Sequence, residues 1–268
     1  MSATDTSTGS AARWGPLWGS RAEDWAAVEE QQLPTYAEAI RRLGISEGQR
    51  VLEVGCGSGV FLRAVADLGA DVAGLDASER LIEIARGRVP EADLRIGDME
   101  ALPWADATFD VVAGFNSFFF ADDMVGALRE AGRVAKPGAP VVIQVWGAHE
   151  RCDLEAMKQL ARPFLPPRPP DAPPDPDLSQ PGVLAGLAAR AGLDPAAEFD
   201  TTWAYDFADA ESLGRALVSV AGLAALVGPD REPELRHAIA EGLASYRRDD
   251  GSYRLSNEYH YLVARAAD

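Results

Sequence analysis

Residues 51–59 read Val51-Leu52-Glu53-Val54-Gly55-Cys56-Gly57-Ser58-Gly59, and Val60-Phe61-Leu62-Arg63-Ala64-Val65 comes directly after. The opening residues form a short apolar run, the pattern of a buried parallel strand. The closing residues have helical periodicity. Between them stand Gly55, Gly57 and Gly59, spaced two apart. Glycine permits a sharp strand-to-helix turn and leaves the backbone bare for a ligand to approach. Such turns usually receive a nucleotide-like group. A glycine string alone identifies little, so its meaning depends on the residues placed at fixed distances downstream.

Strands and helices alternate over residues 48–148, the signature of a parallel sheet. Strands are expected at 50–55, 71–76, 92–96, 109–115 and 141–146. Helices are expected at 60–67, at 79–88 behind the cap Ser78, and from Asp122 or Asp123 to Ala135. Lys136-Pro137-Gly138 stops the last of these. Farther on, 198–207 and 253–266 read as two late strands, with helices near 211–227 and 232–247 between them. The fold class implied is α/β, a doubly wound, mostly parallel sheet of seven strands, the last antiparallel, with a helical cap.

The strand ends carry the chemistry. In doubly wound sheets the binding crevice lies at the carboxyl ends of the strands. A carboxylate there can accept both vicinal hydroxyls of a ribose, and Asp76 ends strand two, 21 residues after Gly55, against the expected spacing of about 20. Gly97-Asp98-Met99 ends strand three, offering a carboxylate for an exocyclic amine and an apolar side chain to cover a purine. Strand four ends in Gly114-Phe115-Asn116-Ser117-Phe118-Phe119-Phe120, near where a reacting centre would lie.

These segments resemble those of a class I S-adenosylmethionine-dependent methyltransferase of the small-molecule "type 11" group. The resemblance rests on the glycine stretch, Gly74-Leu75-Asp76-Ala77-Ser78, Gly97-Asp98-Met99-Glu100-Ala101-Leu102-Pro103, Phe109-Asp110-Val111-Val112, and the run from Ala127 to Gly138. It implies S-adenosyl-L-methionine as cofactor and S-adenosyl-L-homocysteine as product. It also implies residue roles. Gly55, Cys56 and Gly57 would line the methionine part, with Glu53 shaping the loop. Asp76 and Ala77 would meet ribose and adenine, Asp98 and Met99 would hold adenine, and Phe115 would lie near the sulfonium. Trp14, Trp18, Trp25 and Tyr36 are the aromatic residues that could close over the methionine end, with Trp25 taken into the predicted set. A dinucleotide cofactor fits less well, because the third glycine of that fingerprint falls one residue later.

The implied activity is direct in-line methyl transfer to oxygen, nitrogen or carbon of a small organic acceptor. Two other readings use the same fold: an enzyme that cyclises or rearranges its substrate without consuming the cofactor, and a non-catalytic binding protein. In-line transfer relies on positioning and water exclusion. A general base is required only for a protonated acceptor. His149, just after strand five, is the residue predicted for that role, ahead of Glu150, Asp122 and Asp123; His237 and His260 have solvated or packed surroundings available.

The remaining composition sets bounds. The net charge of −17 disfavours nucleic acids and anionic membranes as partners. Cys56 and Cys152 suggest neither a disulfide framework nor, with the histidines, a metal site, and a cytoplasmic home is expected. No apolar run is expected to reach the roughly 18–20 residues of a membrane span. The predicted organisation is a disordered tail at 1–12, a helical lid at 13–47, the cofactor-binding core at 48–148, a proline-rich connection and helix at 149–195, and the final strands with inserted cap helices at 196–268. Nine of the 18 prolines fall within 163–181, which marks an extended surface connection.

Overall fold

The computed structural model describes residues 9–167 and 176–267. Three helices come first: α1 (Ser10–Gly19), α2 (Ala22–Glu29) and α3 (Leu33–Leu43). The core comes next as β1 (Arg50–Val54), α4 (Val60–Ala66), β2 (Asp71–Asp76), α5 (Glu79–Arg88), β3 (Asp93–Ile96), β4 (Val111–Phe115), α6 (Met124–Val134) and β5 (Pro140–Trp146). Then come α7 (Glu155–Ala161), α8 (Val183–Arg190), β6 (Asp194–Phe207), α9 (Ala210–Ser219), α10 (Leu223–Val227), α11 (Glu232–Gly242) and β7 (Tyr253–Arg265).

The seven strands form one sheet in the order β3-β2-β1-β4-β5-β7-β6. β7 runs antiparallel to both its neighbours, and every other pairing is parallel. The central strands are buried on both faces, which is why they read as continuous apolar runs rather than alternating ones. α3, α4 and α5 cover one face, where Phe61, Leu62 and Ile82 are buried. α6 and α8 cover the other through Leu128, Ala131 and Leu184. The strand order reverses between β1 and β4, so the crevice of a doubly wound sheet opens there. A third apolar cluster joins α7, α9 and α11 to the far ends of β6 and β7.

The structure alters three expectations. Residues 10–12 of the predicted tail open α1, and residues 1–8 lie outside the described part. α1 lacks a side-chain cap on its own Gly9 and contains Pro16, Gly15 and Gly19. Its low propensity is overcome by tertiary contacts, since Asp98 supplies the missing cap from another element. Secondly, Ala210–Val227 does have the length and mean hydropathy (1.5) of a span, and half of it is buried in the fold. Ala221 has φ of 51° and breaks the run between α9 and α10. Thirdly, part of the proline-rich connection, residues 168–175, lies outside the described residues.

Candidate active site beneath the N-terminal lid

The carboxyl ends of β1, β2 and β4 border a cavity, which α1, α2 and the turn at 220–222 roof over. The floor is the glycine turn. Gly55, Gly57 and Gly59 have φ of 76°, 52° and 81°. A Cβ at Gly55 would stand 2.4 Å from that of Ser117, so this position has no room for a side chain. Ser117 locks the turn to β4 by donating its hydroxyl to the Val54 carbonyl at 2.6 Å.

Asp76 closes the turn from β2. Its Oδ2 accepts from the Gly57 amide at 2.9 Å and its Oδ1 from the Ser78 amide at 2.8 Å. An ionised carboxylate has about four lone-pair sites, so two bonds leave capacity for a pair of ligand hydroxyls. Ala77 and Met99 line the cavity beside it, and so do Phe115 and Trp25. Of the residues predicted from sequence to bind the cofactor, Gly55, Gly57, Asp76, Ala77, Met99, Phe115 and Trp25 thus meet at one cavity.

Glu53, Cys56 and Asp98 do not line it. Glu53 is buried, and its Oε2 has no hydrogen-bond partner among the described residues. Cys56 packs against β2, its Sγ 2.8 Å from where a Gly74 Cβ would be. Asp98 caps α1 instead: its carboxylate accepts from the Ser10 hydroxyl and the Ala11 amide, each at 3.0 Å. His149 is also elsewhere. It lies in an exposed 3-10 turn, 3.9 Å from Glu155 and 4.0 Å from Asp177, and does not face the cavity. Adjacency in sequence to the end of β5 does not place its side chain on the cavity lining, although Trp146 at the end of β5 is there.

Glu29, which is absent from the set predicted from sequence, lines the cavity at the end of α2. Its Oε2 accepts from the Ser58 amide at 2.8 Å, at the start of α4. A Cβ at Gly57 would stand 2.7 Å from the same oxygen, so the glycine is what admits the carboxylate. Burial pushes the Glu29 carboxyl up to about 7; the Ser58 amide and Arg88 pull it down, and Asp76 pushes it up. Burial likewise raises Glu53 well above the ordinary carboxylate range, with Glu29 and Asp76 adding to the effect. Asp76 is raised by burial against the pull of its backbone amide donors. Burial is the first cause of all three shifts, and a cationic ligand at the turn would favour the ionised forms. Glu29 leaves no local signal, because the contact spans 29 residues of chain.

The roof is aromatic. Trp14 and Trp18 meet Phe120 edge-on, with ring centroids 4.8 and 5.5 Å apart, and Trp18 meets Trp25 at 4.9 Å. Phe119 and Phe120 face the cavity, whereas Phe118 is fully buried in the core. Tyr36 packs on Phe115 at 4.7 Å and donates to Gln32. The fit to S-adenosylmethionine rests on these features together: a glycine turn with a bare backbone, an unsaturated carboxylate for a sugar diol, and a buried acidic side chain, Glu29, on the cavity wall.

Comparison with known proteins gives the same reading. A methyltransferase-domain family model matches residues 52–143. The chain is 32% identical over 181 residues to a demethylmenaquinone methyltransferase of Tropheryma whipplei, covering 65% of this chain and 66% of that one. It spans just under two thirds of that relative's length, then. An uncharacterized protein of Mycobacterium tuberculosis is 31% identical over 196 residues, covering 68% of this chain and 70% of its own. Among solved structures, the [4+2]-cyclase SpnF superposes with a TM-score of 0.57 at 20% identity, over 88% of this chain and 80% of that one, a likeness of fold. With the motif order and the bare glycine turn, these matches show that the chain belongs to the class I S-adenosylmethionine-dependent methyltransferases.

Proposed function

We propose that this protein transfers a methyl group from S-adenosylmethionine to a small, planar organic acceptor held beneath the N-terminal lid. The observation that carries the reading is the ring of buried carboxyl groups, Glu29, Glu53 and Asp76, around a glycine turn that opens on an aromatic cavity. When bound, the cofactor supplies a methyl group made electrophilic by a positively charged sulfur. The protein's part is to hold, orient and dehydrate. Asp76 grips the sugar, Gly55 and Gly57 let the methionine end approach the backbone, and Met99 covers the purine. Glu29 ties α2 to the turn, so the same contact that shapes the floor also closes the roof.

The aromatic walls suit a ring system, and the named relative acts, by its name, on demethylmenaquinone. No histidine lines the cavity among the described residues, so His149 is not assigned a role as base. The proposed setting is the cytoplasm, which agrees with two buried, unpaired cysteines. Calorimetry with S-adenosylmethionine tests the cofactor assignment. Wild-type protein should bind it, and Asp76→Ala should weaken binding by about 1–3 kcal/mol. An unaltered affinity would remove Asp76 from the sugar site. A screen of aromatic acceptors, read by release of S-adenosylhomocysteine in step with product, tests the reaction. Product without S-adenosylhomocysteine would point instead to cyclisation or rearrangement.

A further inference from the structure

Two polar groups at the cavity remain unexplained by the cofactor reading. Asn116 comes directly after β4 with φ of 48°, a left-handed conformation that asparagine tolerates better than most residues. Its Nδ2 and Oδ1 are both buried and neither has a partner among the described residues. The Trp14 indole Nε1 is buried and unpartnered in the same way. Both residues line the cavity, Asn116 from the floor side and Trp14 from the lid. Buried donors and acceptors are nearly always satisfied, so an orphaned amide and an orphaned N–H on one ligand cavity mark a place for a ligand's polar group. The backbone of Asn116 is fixed by its amide, which donates to the Gln144 carbonyl at 2.9 Å.

We propose that Asn116 and Trp14 together bind a hydroxyl group on a neutral aromatic methyl acceptor. The inference rests on the methyltransferase reading and adds the residues that choose the acceptor. The amide can accept the hydroxyl proton through Oδ1, and the indole N–H donates to the hydroxyl oxygen. The surrounding wall of Phe119, Phe120 and Trp18 contributes area but little polarity. Neutrality follows from the charges present. The charged side chains on the cavity are Glu29 and Asp76, and no arginine or lysine lines it among the described residues. An acceptor carboxylate would meet two acids and no basic side chain, within a molecule of net charge −17.

The test uses the full chain saturated with S-adenosylhomocysteine. Naphthol, naphthalene and naphthoate are titrated by calorimetry and by quenching of tryptophan fluorescence. Naphthol should bind about tenfold more tightly than either of the others. Asn116→Gly keeps the left-handed backbone without strain and removes the amide; Trp14→Phe keeps the aromatic wall and removes the N–H. Each should reduce the preference for naphthol over naphthalene to about twofold while leaving S-adenosylhomocysteine affinity within about twofold of wild type. Equal binding of naphthol and naphthalene by wild-type protein overturns the proposal. So does a variant that loses S-adenosylhomocysteine and keeps its naphthol preference, because the orphaned amide would then belong to the cofactor. Failure of wild-type protein to bind S-adenosylhomocysteine sinks the cofactor reading, and the acceptor assignment falls with it.

Discussion

Glu29 is 3% exposed, and its carboxylate is removed from water without a neutralising partner in direct contact. Arg88 is nearby, but its guanidinium is bonded to the Ser58 carbonyl and to Glu30. The folded protein therefore keeps a proton on Glu29 up to about pH 7, where the free side chain would lose it near 4.5. Between these values the folded chain holds a proton that the unfolded chain releases. Stability accordingly falls as pH rises through that window and stays low above it. The separation corresponds to about 3 kcal/mol at most. Glu29→Gln keeps an oxygen for the Ser58 amide and removes the titration. The unliganded variant should be more stable than wild type at pH 8 and nearly equal to it near pH 5, by urea denaturation. A constant difference at both values would mean that Glu29 is not a buried, unneutralised acid. Asp76 and Glu53 shift in the same direction, so wild-type stability should decline over a wider range than Glu29 alone produces.

At the scale of the element, α1 is the part least explained by its own sequence. Its N-terminus is capped by Asp98, and its middle approaches the end of β2 so closely that a Cβ at Gly15 would lie 2.3 Å from the Ala77 carbonyl oxygen. Its far end meets the turn after α9, where a Cβ at Gly222 would lie 2.4 Å from that of Leu17. Both contacts require glycine for space, and Gly15 is already helical, so its role is close approach rather than backbone freedom. Gly15→Ala should push α1 off the cavity at a cost of about 1–3 kcal/mol, the usual range for overpacking. Much of this cost should appear as an approximately tenfold weaker affinity for S-adenosylmethionine, with little change in core unfolding. Calorimetry measures the first, and an affinity equal to wild type would show that α1 does not close the site. The same element marks the limit of what the sequence makes legible. The core strands are legible because burial on both faces leaves an apolar run, and the glycine turn because its backbone needs leave a spacing. The start of α1, ahead of the helical lid expected from residue 13, is not, since its cap comes from Asp98, 88 residues away. Glu29 and Asn116 escape for a related reason: one bonds an amide 29 residues away and the other is left without a partner, and both are properties of the packed structure. Nearness along the chain places His149 at the site, whereas in the structure it lies beside Glu155 and Asp177, off the cavity lining.

Across the whole molecule, the cavity is assembled from segments that are distant in sequence. The lid comes from α1 and α2, the floor from the ends of β1, β2 and β4, and one wall from Trp146 and Val220. Trp146 stacks on Tyr259 of β7 at 5.2 Å and packs against both the sheet cluster and the cap cluster. The cap has its own apolar centre in Leu213, Leu217, Leu235 and Leu255, each buried, and so is not held in place only by the site. A ligand in the cavity therefore bridges two bodies that are each packed internally. Binding stabilises the folded state alone, by about 2.7 kcal/mol at a hundredfold excess over Kd. For a chain of this size that should raise Tm by roughly 5–10 °C. The bridging makes a sharper prediction. Under hydrogen exchange, S-adenosylhomocysteine should increase protection not only in the glycine turn but also in α1, in α2 and in the turn at 220–222, all at once. These are the segments that roof the cavity, so a ligand beneath them ties them to its floor. Protection confined to residues 55–59 would show that the lid neither senses nor encloses the cofactor, and would separate α1 from the machinery of the site.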